Sequence, residues 1–314
     1  MTDTAIRRVA VISTGVIGAS WAALFLAHGL EVIATDPAPG AEAGLRAAIA
    51  AHWPALRALG FAPDADPGRL RFVASAEEAA AGADFVQENG PEVLALKQDL
   101  FRRLDAAAPA HAILASSSSS LLMTEVARDC AHPARVLLGH PFNPPHLIPL
   151  VEVVGGARTS EDAILRALAF YRALGKHPIR LKREIRGHVA NRLQAALWQE
   201  AFHLLAEGVA DLAEIDAAIA HGPGLRWALL GPFLNLDLSG GPGGIGAFFG
   251  KPLWTATEGL WAELGRVHVD PALAARVEAG VADELAGHDK AALVRARDAA
   301  LISLLRRKTE AGLP

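Results

Sequence analysis

The chain has 314 residues, which is long enough for two domains that each bury a core of their own. Its formal net charge is −4 and no basic block appears, so nucleic acid and anionic membranes are poor partners. No apolar run reaches the roughly 18 residues of a membrane span, and the residues before the first strand lack a signal peptide's apolar core. Cys130 is the single cysteine, which excludes an internal disulfide and favours a reduced, cytoplasmic setting.

The first predicted elements form a strand–helix–strand unit. Residues 9–12 are an apolar run typical of a strand buried on both faces, and small residues follow at Ser13, Gly15 and Gly18. Residues 19–28 predict a helix that Gly29 ends, and a second apolar strand over 30–34 leads to Asp36. This order is typical of a dinucleotide-binding unit.

The same unit predicts NAD as the cofactor. Its glycines permit a tight turn that points a helix N-terminus at a pyrophosphate, and a carboxylate at Asp36 would bind ribose hydroxyls and repel a 2′-phosphate. Ser13 stands where the motif usually has its first glycine, and a positive φ there would cost about 1 kcal/mol. A glycine-rich turn without a ligand is the alternative. The predicted cofactor-binding residues of this unit are Ser13, Gly15, Val16, Ile17, Gly18 and Asp36.

A second glycine-rich stretch, residues 241–246, matches the dinucleotide motif to the letter. Gly250 and Pro252 are expected to prevent a long helix after it, and Pro242 lacks an amide proton. We therefore expect a loop with a structural role or a place at the rim of a substrate site.

The elements that follow alternate between helix and strand as far as residue 181. Helices are predicted over 41–59, 76–81, 92–107 and 162–174, and from the serine tract through Cys130; strands are predicted over 69–74, 84–88, 112–115, 136–138, 150–154 and 178–181. This alternation predicts an α/β Rossmann-type fold, with a doubly wound and mostly parallel sheet.

Beyond residue 186 the predicted elements are all helical, over 189–207, 212–220, 258–264, 271–286 and 290–308. We expect an NAD-binding domain over 1–186 and an all-α substrate and dimerisation domain over 187–314. Because such helices usually bury apolar faces against a second copy or against the first domain, a homodimer is expected.

Two residues are candidates for proton transfer. His140 follows a strand at the edge where doubly wound sheets bind ligands, and a histidine there can act as a general base or acid. Glu152 lies in an apolar strand, where a carboxylate is costly unless it is paired. We expect His140 to be the partner of Glu152. An edge-strand Glu152 facing water and a loop His140 bonded to backbone are the alternatives.

Three further features suggest substrate contacts. A serine in the tract 116–120 would cap the following helix or donate its hydroxyl to a substrate oxygen. Asn191 begins the first helix of the second domain and either reaches a ligand or faces solvent. Arg226 lies in a predicted loop rich in glycine and proline, where a fixed guanidinium would suit a carboxylate, although a solvated arginine is equally compatible.

Several motifs together resemble the 3-hydroxyacyl-CoA dehydrogenase superfamily. They lie at residues 11–18, 87–92, 115–121, 139–144, 149–154 and 187–193, and span much of the chain. The segment 222–233 resembles the branch of that superfamily that contains the carnitine and gulonate dehydrogenases (lambda-crystallin). Ser117-Ser118 stands where the CoA enzymes have Asn-Thr, which fits the same branch.

The resemblance implies roles for individual residues. His140 would be the catalytic base with Glu152 as its partner, while Ser119 and Asn191 would bind the substrate oxygen. The residues implied on the cofactor side are Glu88, Glu92, Lys97, Ser117 and Asn143. Arg226 and Trp227 are candidates for the substrate contacts because of the chemistry of their side chains.

The expected activity is NAD-dependent oxidation of the C3 hydroxyl of a small L-3-hydroxy acid, carnitine-like or gulonate-like. If the substrate is carnitine, its quaternary ammonium requires aromatic faces. The candidates are Trp227, Phe248, Phe249 and Trp254, although aromatic residues in a helical domain more often belong to the core. A CoA-thioester dehydrogenase is the alternative, although no basic cluster for the CoA phosphates is evident. An NAD-binding, crystallin-like protein without catalysis is the alternative of another class.

Overall fold

The computed structural model describes residues 6–249 and 251–313, so residues 1–5, on which the expected lack of a signal peptide partly rests, lie outside it. The chain divides into two compact units after Arg192. The domain boundary expected after residue 186 stays a prediction. Within the described residues, no helix combines the length and apolarity needed to cross a membrane.

The first unit is built on one eight-stranded sheet, which confirms the predicted α/β class. Its strand order is β3-β2-β1-β4-β5-β6-β7-β8, and every neighbouring pair is parallel except β6 and β7. The strands are β1 (Arg8–Ile12), β2 (Glu31–Thr35), β3 (Leu70–Phe72), β4 (Phe85–Glu88), β5 (Ile113–Ser116), β6 (Val136–Pro141), β7 (Leu150–Gly155) and β8 (His177–Arg180).

Helices cover both faces of this sheet, and each face has its own apolar core. Since β1, β2, β5 and β6 are buried over most of their length, their sequences are nearly continuous apolar runs rather than alternating ones. The helices are α1 (Val16–Ala27), α2 (Ala41–Leu59), α3 (Ala76–Ala80), α4 (Leu94–Ala107), α5 (Met123–Val126) and α6 (Glu161–Ala173).

The position of β1 in the sheet locates the candidate site. The chain runs from β1 to β2 and β3 on one side and to β4 and β5 on the other, so the strand order reverses between β1 and β4. Ile12 at the end of β1 pairs with Glu88 at the end of β4. Doubly wound sheets bind ligands at this reversal, beyond the carboxyl ends of the strands.

The second unit is helical, as predicted. Its first helix, α7, begins at Ala190, just before the division between the units. The helices are α7 (Ala190–Ala206), α8 (Leu212–Ala220), α9 (Pro223–Trp227), α10 (Pro232–Ser239), α11 (Pro252–Glu263), α12 (Pro271–Glu284) and α13 (Lys290–Glu310).

Three local predictions were wrong. The Arg226 segment is helical rather than a loop, because Pro223 occupies the first turn, where proline costs no hydrogen bond. The glycine-rich stretch at 241–247 is 3-10 helical on both sides of a kink at Gly244, and the 12-residue helix α11 starts at Pro252; Gly250 lies outside the described residues. Helix α5 has four residues instead of running through Cys130, and no serine side chain caps it.

Candidate active site

A tight turn joins β1 to α1. Ser13 has φ +66°, in the left-handed region that disfavours a side chain. The conformational cost of about 1 kcal/mol expected for a positive φ at this residue therefore applies. Gly18 is required by contact: a Cβ there would lie 2.0 Å from the Ser13 carbonyl oxygen. Gly15 precedes α1 and no side chain among the described residues caps that helix, so its first amides point outward for an anion.

Asp36 lies at the end of β2, beside this turn. Its Oδ2 accepts a hydrogen bond from the Thr14 amide at 2.7 Å, and its Oδ1 accepts one from the Ala38 amide at 2.9 Å. The carboxylate is therefore held in place, and its half-buried side chain leaves lone pairs for hydroxyl donors. The exposed Gly15 and Val16, the uncapped helix and this carboxylate fit a dinucleotide.

His140 and Glu152 lie opposite each other on the antiparallel strands β6 and β7. The His140 Nδ1 is 2.9 Å from Glu152 Oε2, and the two side chains are buried. Because a carboxylate can only accept, Nδ1 carries the proton and Nε2 holds the lone pair that a base needs. The two alternatives, a Glu152 that faces water and a His140 in a loop bonded to the backbone, are therefore wrong.

Glu152 is also bonded to the start of α7. Its Oε1 accepts the Val189 amide at 2.8 Å and the Ala190 amide at 3.0 Å. Burial alone would raise the pKa of Glu152, but the hydrogen bonds from His140, Ala190 and Val189 together outweigh it and lower that pKa. The carboxylate is therefore charged at neutral pH.

Glu92 organises the serine tract. Its Oε1 accepts the Ser118 hydroxyl at 2.6 Å, the Ser120 amide at 2.7 Å and the Ser120 hydroxyl at 2.9 Å. Burial opposes its charge, but these donors lower its pKa overall. Ser119 is exposed between the two, and its hydroxyl makes only a long contact to Glu92 Oε1, at 3.5 Å.

Glu88 and Lys97 form a buried ion pair below this turn. Lys97 Nζ donates to the two Glu88 oxygens at 2.7 and 2.8 Å, and the Gly90 amide and Ser116 hydroxyl donate to the same carboxylate. The expectation placed both residues on the cofactor side, but their charged atoms are already paired within the protein. Their effect on a cofactor would therefore be indirect, through the backbone at Gly90 and Ser116.

The remaining predicted contacts of the first unit lie around the same edge. Asn191 Nδ2 is 3.3 Å from the Ser119 carbonyl oxygen, so Asn191 is adjacent to the serine turn. Ser117 donates to Asn89 Oδ1 at 2.7 Å. Asn143 is exposed in the loop between β6 and β7, and Ile17 is partly exposed in the first turn of α1.

Arg226 and Trp227 belong to the second unit, in α9. Both are exposed, and the Arg226 guanidinium makes no hydrogen bond or ion pair to any residue in the described part of the chain. The guanidinium is therefore available to an anion.

One residue near the catalytic pair was not anticipated from the sequence. His188 is buried, its ring centroid is 5.2 Å from that of His140, and its Nε2 is 3.1 Å from the Ser118 carbonyl oxygen. His188 lies within the motif at residues 187–193, but nothing in the sequence indicated a role for this residue.

This geometry combines a dinucleotide turn with a buried histidine–carboxylate pair, and it defines a class: an NAD-dependent oxidoreductase that acts on a CH–OH group. The sequence matches two family models, "3-hydroxyacyl-CoA dehydrogenase, NAD binding domain" over residues 8–185 and "3-hydroxyacyl-CoA dehydrogenase, C-terminal domain" over residues 187–258. The chain belongs to the 3-hydroxyacyl-CoA dehydrogenase family.

Characterised relatives and solved structures agree with this assignment. The chain is 51% identical to L-carnitine dehydrogenase of Streptomyces griseus, covering 96% of this chain and 90% of that protein. It is 48% identical to L-carnitine dehydrogenase of Pseudomonas aeruginosa, covering 96% and 94%. A crystal structure of 5-formyl-3-hydroxy-2-methylpyridine 4-carboxylic acid 5-dehydrogenase, an NAD⁺-dependent dismutase, superposes with a TM-score of 0.83 at 30% identity, covering 97% of this chain and 99% of that one.

Proposed function

We propose that this protein oxidises the C3 hydroxyl of L-carnitine to a ketone with NAD⁺ as the acceptor. The observation that carries the proposal is the buried His140–Glu152 pair, whose Nδ1–Oε2 distance is 2.9 Å, at the ligand-binding edge of the sheet. The choice of L-carnitine rests on the identity of 45–51% to L-carnitine dehydrogenases over nearly the whole chain.

His140 begins the reaction. Its Nε2 takes the proton of the C3 hydroxyl, and the charged Glu152 stabilises the imidazolium that results. General base catalysis of this kind contributes typically about 10²–10⁴-fold. When bound, NAD⁺ accepts the hydride that leaves C3.

Ser119 and Asn191 hold the substrate oxygen. The donors at this place are the Ser119 hydroxyl, whose contact with Glu92 Oε1 is long at 3.5 Å, and the second amide proton of Asn191, beside the serine turn. Donors placed where charge develops stabilise the transition state more than the ground state. They also fix the orientation of the hydroxyl toward His140.

The cofactor contacts follow from the turn after β1. The backbone from Ser13 to Gly18 would hold the pyrophosphate and Asp36 the adenosine ribose, in keeping with NAD rather than NADP. Ser117 and Asn143 would lie on the nicotinamide side. Glu88, Glu92 and Lys97 would support that side by holding the backbone in place.

Arg226 and Trp227 are the proposed contacts for the two ends of the substrate. L-Carnitine carries a carboxylate and a quaternary ammonium; an unpaired guanidinium binds the first and an aromatic face binds the second. Both side chains are exposed in α9 and have the matching chemistry.

The test is NADH formation from NAD⁺ with L-carnitine, L-gulonate, L-3-hydroxybutyrate and its CoA ester, on the wild type and on Arg226→Ala. We expect turnover of L-carnitine, with a KM that rises at least tenfold in Arg226→Ala. Arg266→Ala is the matched control, an exposed arginine of the same unit. Turnover of the CoA ester alone, unchanged in Arg226→Ala, would contradict the proposal.

We also propose that the protein is a homodimer joined through the helical domain expected over 187–314. Large apolar side chains are exposed on the helices of that unit, among them Leu234 and Leu238 on one face of α10. Sedimentation at micromolar concentration should give twice the mass of one chain, and a monomer would contradict this. The cytoplasmic setting stays a prediction.

A further inference from the structure

His188 is a buried side chain that the mechanism above does not use. It is 1% exposed, and its φ of +50° lies in the left-handed region. Gly187 before it has φ +74°, so two successive residues take this conformation just ahead of α7. A side chain is rarely kept in this region without a compensating contact.

The contact that His188 makes is a hydrogen bond to the serine turn. Its Nε2 is 3.1 Å from the Ser118 carbonyl oxygen, and because a carbonyl only accepts, Nε2 carries the proton. In the neutral ring Nδ1 is then an acceptor, and this buried atom has no hydrogen-bond partner among the described residues. A phenylalanine would fill the same space without leaving a nitrogen unpaired, so packing alone does not account for a histidine.

Burial keeps the His188 ring neutral. Burial lowers the pKa of His188, the Ser118 carbonyl opposes that shift, and the nearby His140 lowers the pKa further. Glu152 and Glu92 are the other charged groups facing it and favour the charged form more weakly. Burial therefore prevails, and the ring remains a neutral donor.

The segment that carries His188 joins the two halves of the site. On one side the Val189 and Ala190 amides bind Glu152, the partner of His140. On the other side His188 binds the Ser118 carbonyl and Asn191 binds the Ser119 carbonyl. This segment is therefore one link between the serine turn and the catalytic pair; the Gln87 side chain, which bonds Ser117 Oγ and the Gly139 carbonyl, is another.

We propose that His188 is a positioning residue: its Nε2–H holds the Ser118 carbonyl and thereby fixes the Ser119 hydroxyl relative to His140 and Glu152. The inference rests on the proposed function, since it assigns to Ser119 the substrate oxygen. It requires a donor at the position of Nε2 and does not require a titrating ring.

The test compares His188→Gln with His188→Met. The two side chains have nearly the same shape, but only glutamine can donate to the Ser118 carbonyl. We expect kcat, measured with the acid that the wild type oxidises, to fall about 10- to 100-fold in His188→Met. In His188→Gln it should stay within about threefold of the wild type. The KM for NAD⁺ should change less than twofold in both, because no hydrogen bond or ring contact among the described residues joins His188 to the turn after β1.

His28→Met is the matched control, because His28 also bonds a backbone carbonyl, that of Leu24 at 2.9 Å, at the far end of α1. It should leave kcat unchanged. His188→Phe gives a second donor-free variant if His188→Met fails to fold. A donor-free variant with wild-type kcat would overturn the proposal, as would equal losses in the glutamine variant and the donor-free variants.

His140→Asn, measured in parallel, distinguishes a failure of the proposed function from a failure of the role assigned to His188. If His140→Asn keeps its turnover, the proposed function itself is wrong. If His140→Asn is inactive and His188→Met retains kcat, only the role of His188 is wrong.

Discussion

Glu152 is a buried carboxylate whose charge is stabilised by hydrogen-bond donors on both of its oxygens. Its carboxylate is fully buried, yet three donors hold it ionised: the His140 ring and two amides at the start of α7. Removing a partner from such a site leaves the remaining groups buried and unpaired, which is costly. The same charge is the one that stabilises an imidazolium on His140.

Glu152→Gln should therefore impair chemistry more than binding. Glutamine keeps the shape but removes the charge, and we expect kcat to fall about 100-fold, within the range that general base catalysis contributes. Steady-state kinetics with L-carnitine would measure this. Glu161→Gln is the control, since the Glu161–Arg180 ion pair is exposed. A variant with wild-type kcat would show that the charge of Glu152 is not used.

At the scale of single elements, the turn between β1 and α1 assigns different roles to its two glycines. Gly15 has a negative φ, and a Cβ added there would have no atom within 4 Å. A Cβ added at Gly18 would instead collide with the Ser13 carbonyl oxygen. A side chain at Gly15 would leave the turn intact and obstruct only a ligand. A side chain at Gly18 would disrupt the turn itself.

The expected outcome is a split between binding and stability. Gly15→Ala should weaken NAD⁺ binding at least tenfold with an unchanged Tm, whereas Gly18→Ala should lower both, by calorimetric titration and thermal unfolding. Gly44→Ala, in the exposed part of α2, is the control and should not change NAD⁺ binding. Equal NAD⁺ affinity in wild type and Gly15→Ala would contradict a pyrophosphate site at this turn.

The elements also show what a sequence can and cannot reveal. Helices α2 and α8 were predicted at their observed bounds, because regular apolar spacing and clear end signals mark both. Helices α9 and α10 were missed because Pro223 and Pro232 look like breaks, although each occupies a first helical turn.

Within the site, too, some residue pairings could be predicted from the sequence and others could not. A lone Glu152 in an apolar strand indicates a partner, so its pairing with His140 could be predicted. The bonds of Glu92 to the serine tract and of His188 to Ser118 join residues 26 and 70 positions apart, and nothing local in the sequence marks them. Pairings of this kind depend on tertiary contacts.

At the scale of the whole molecule, Lys176 links stability to pH. It is buried, Nζ donates to the carbonyls of Pro145 and Ile148, and burial lowers the pKa of Lys176 to about 7. In the unfolded chain a lysine has a pKa of about 10.4. Between these values the unfolded state binds more protons, so the free energy of unfolding rises with pH.

Lys176→Met should flatten that rise. Denaturant unfolding at pH 7, 8 and 9 should give the wild type a positive slope, at most about 1.4 kcal/mol per pH unit from this group, and Lys176→Met a smaller one. Lys182→Met, at an exposed lysine, should keep the wild-type slope. The same slope in wild type and Lys176→Met would show that Lys176 stays charged in the folded protein.

The most direct test of the account is the rate of NADH formation from NAD⁺ and L-carnitine in the wild type and in His140→Asn, with NAD⁺ binding measured on both. We predict turnover of L-carnitine in the wild type and a kcat about 10²–10⁴-fold lower in His140→Asn, with NAD⁺ bound equally well. A wild type that binds NAD⁺ but leaves L-carnitine unchanged, or a His140→Asn variant with full activity, would contradict the account.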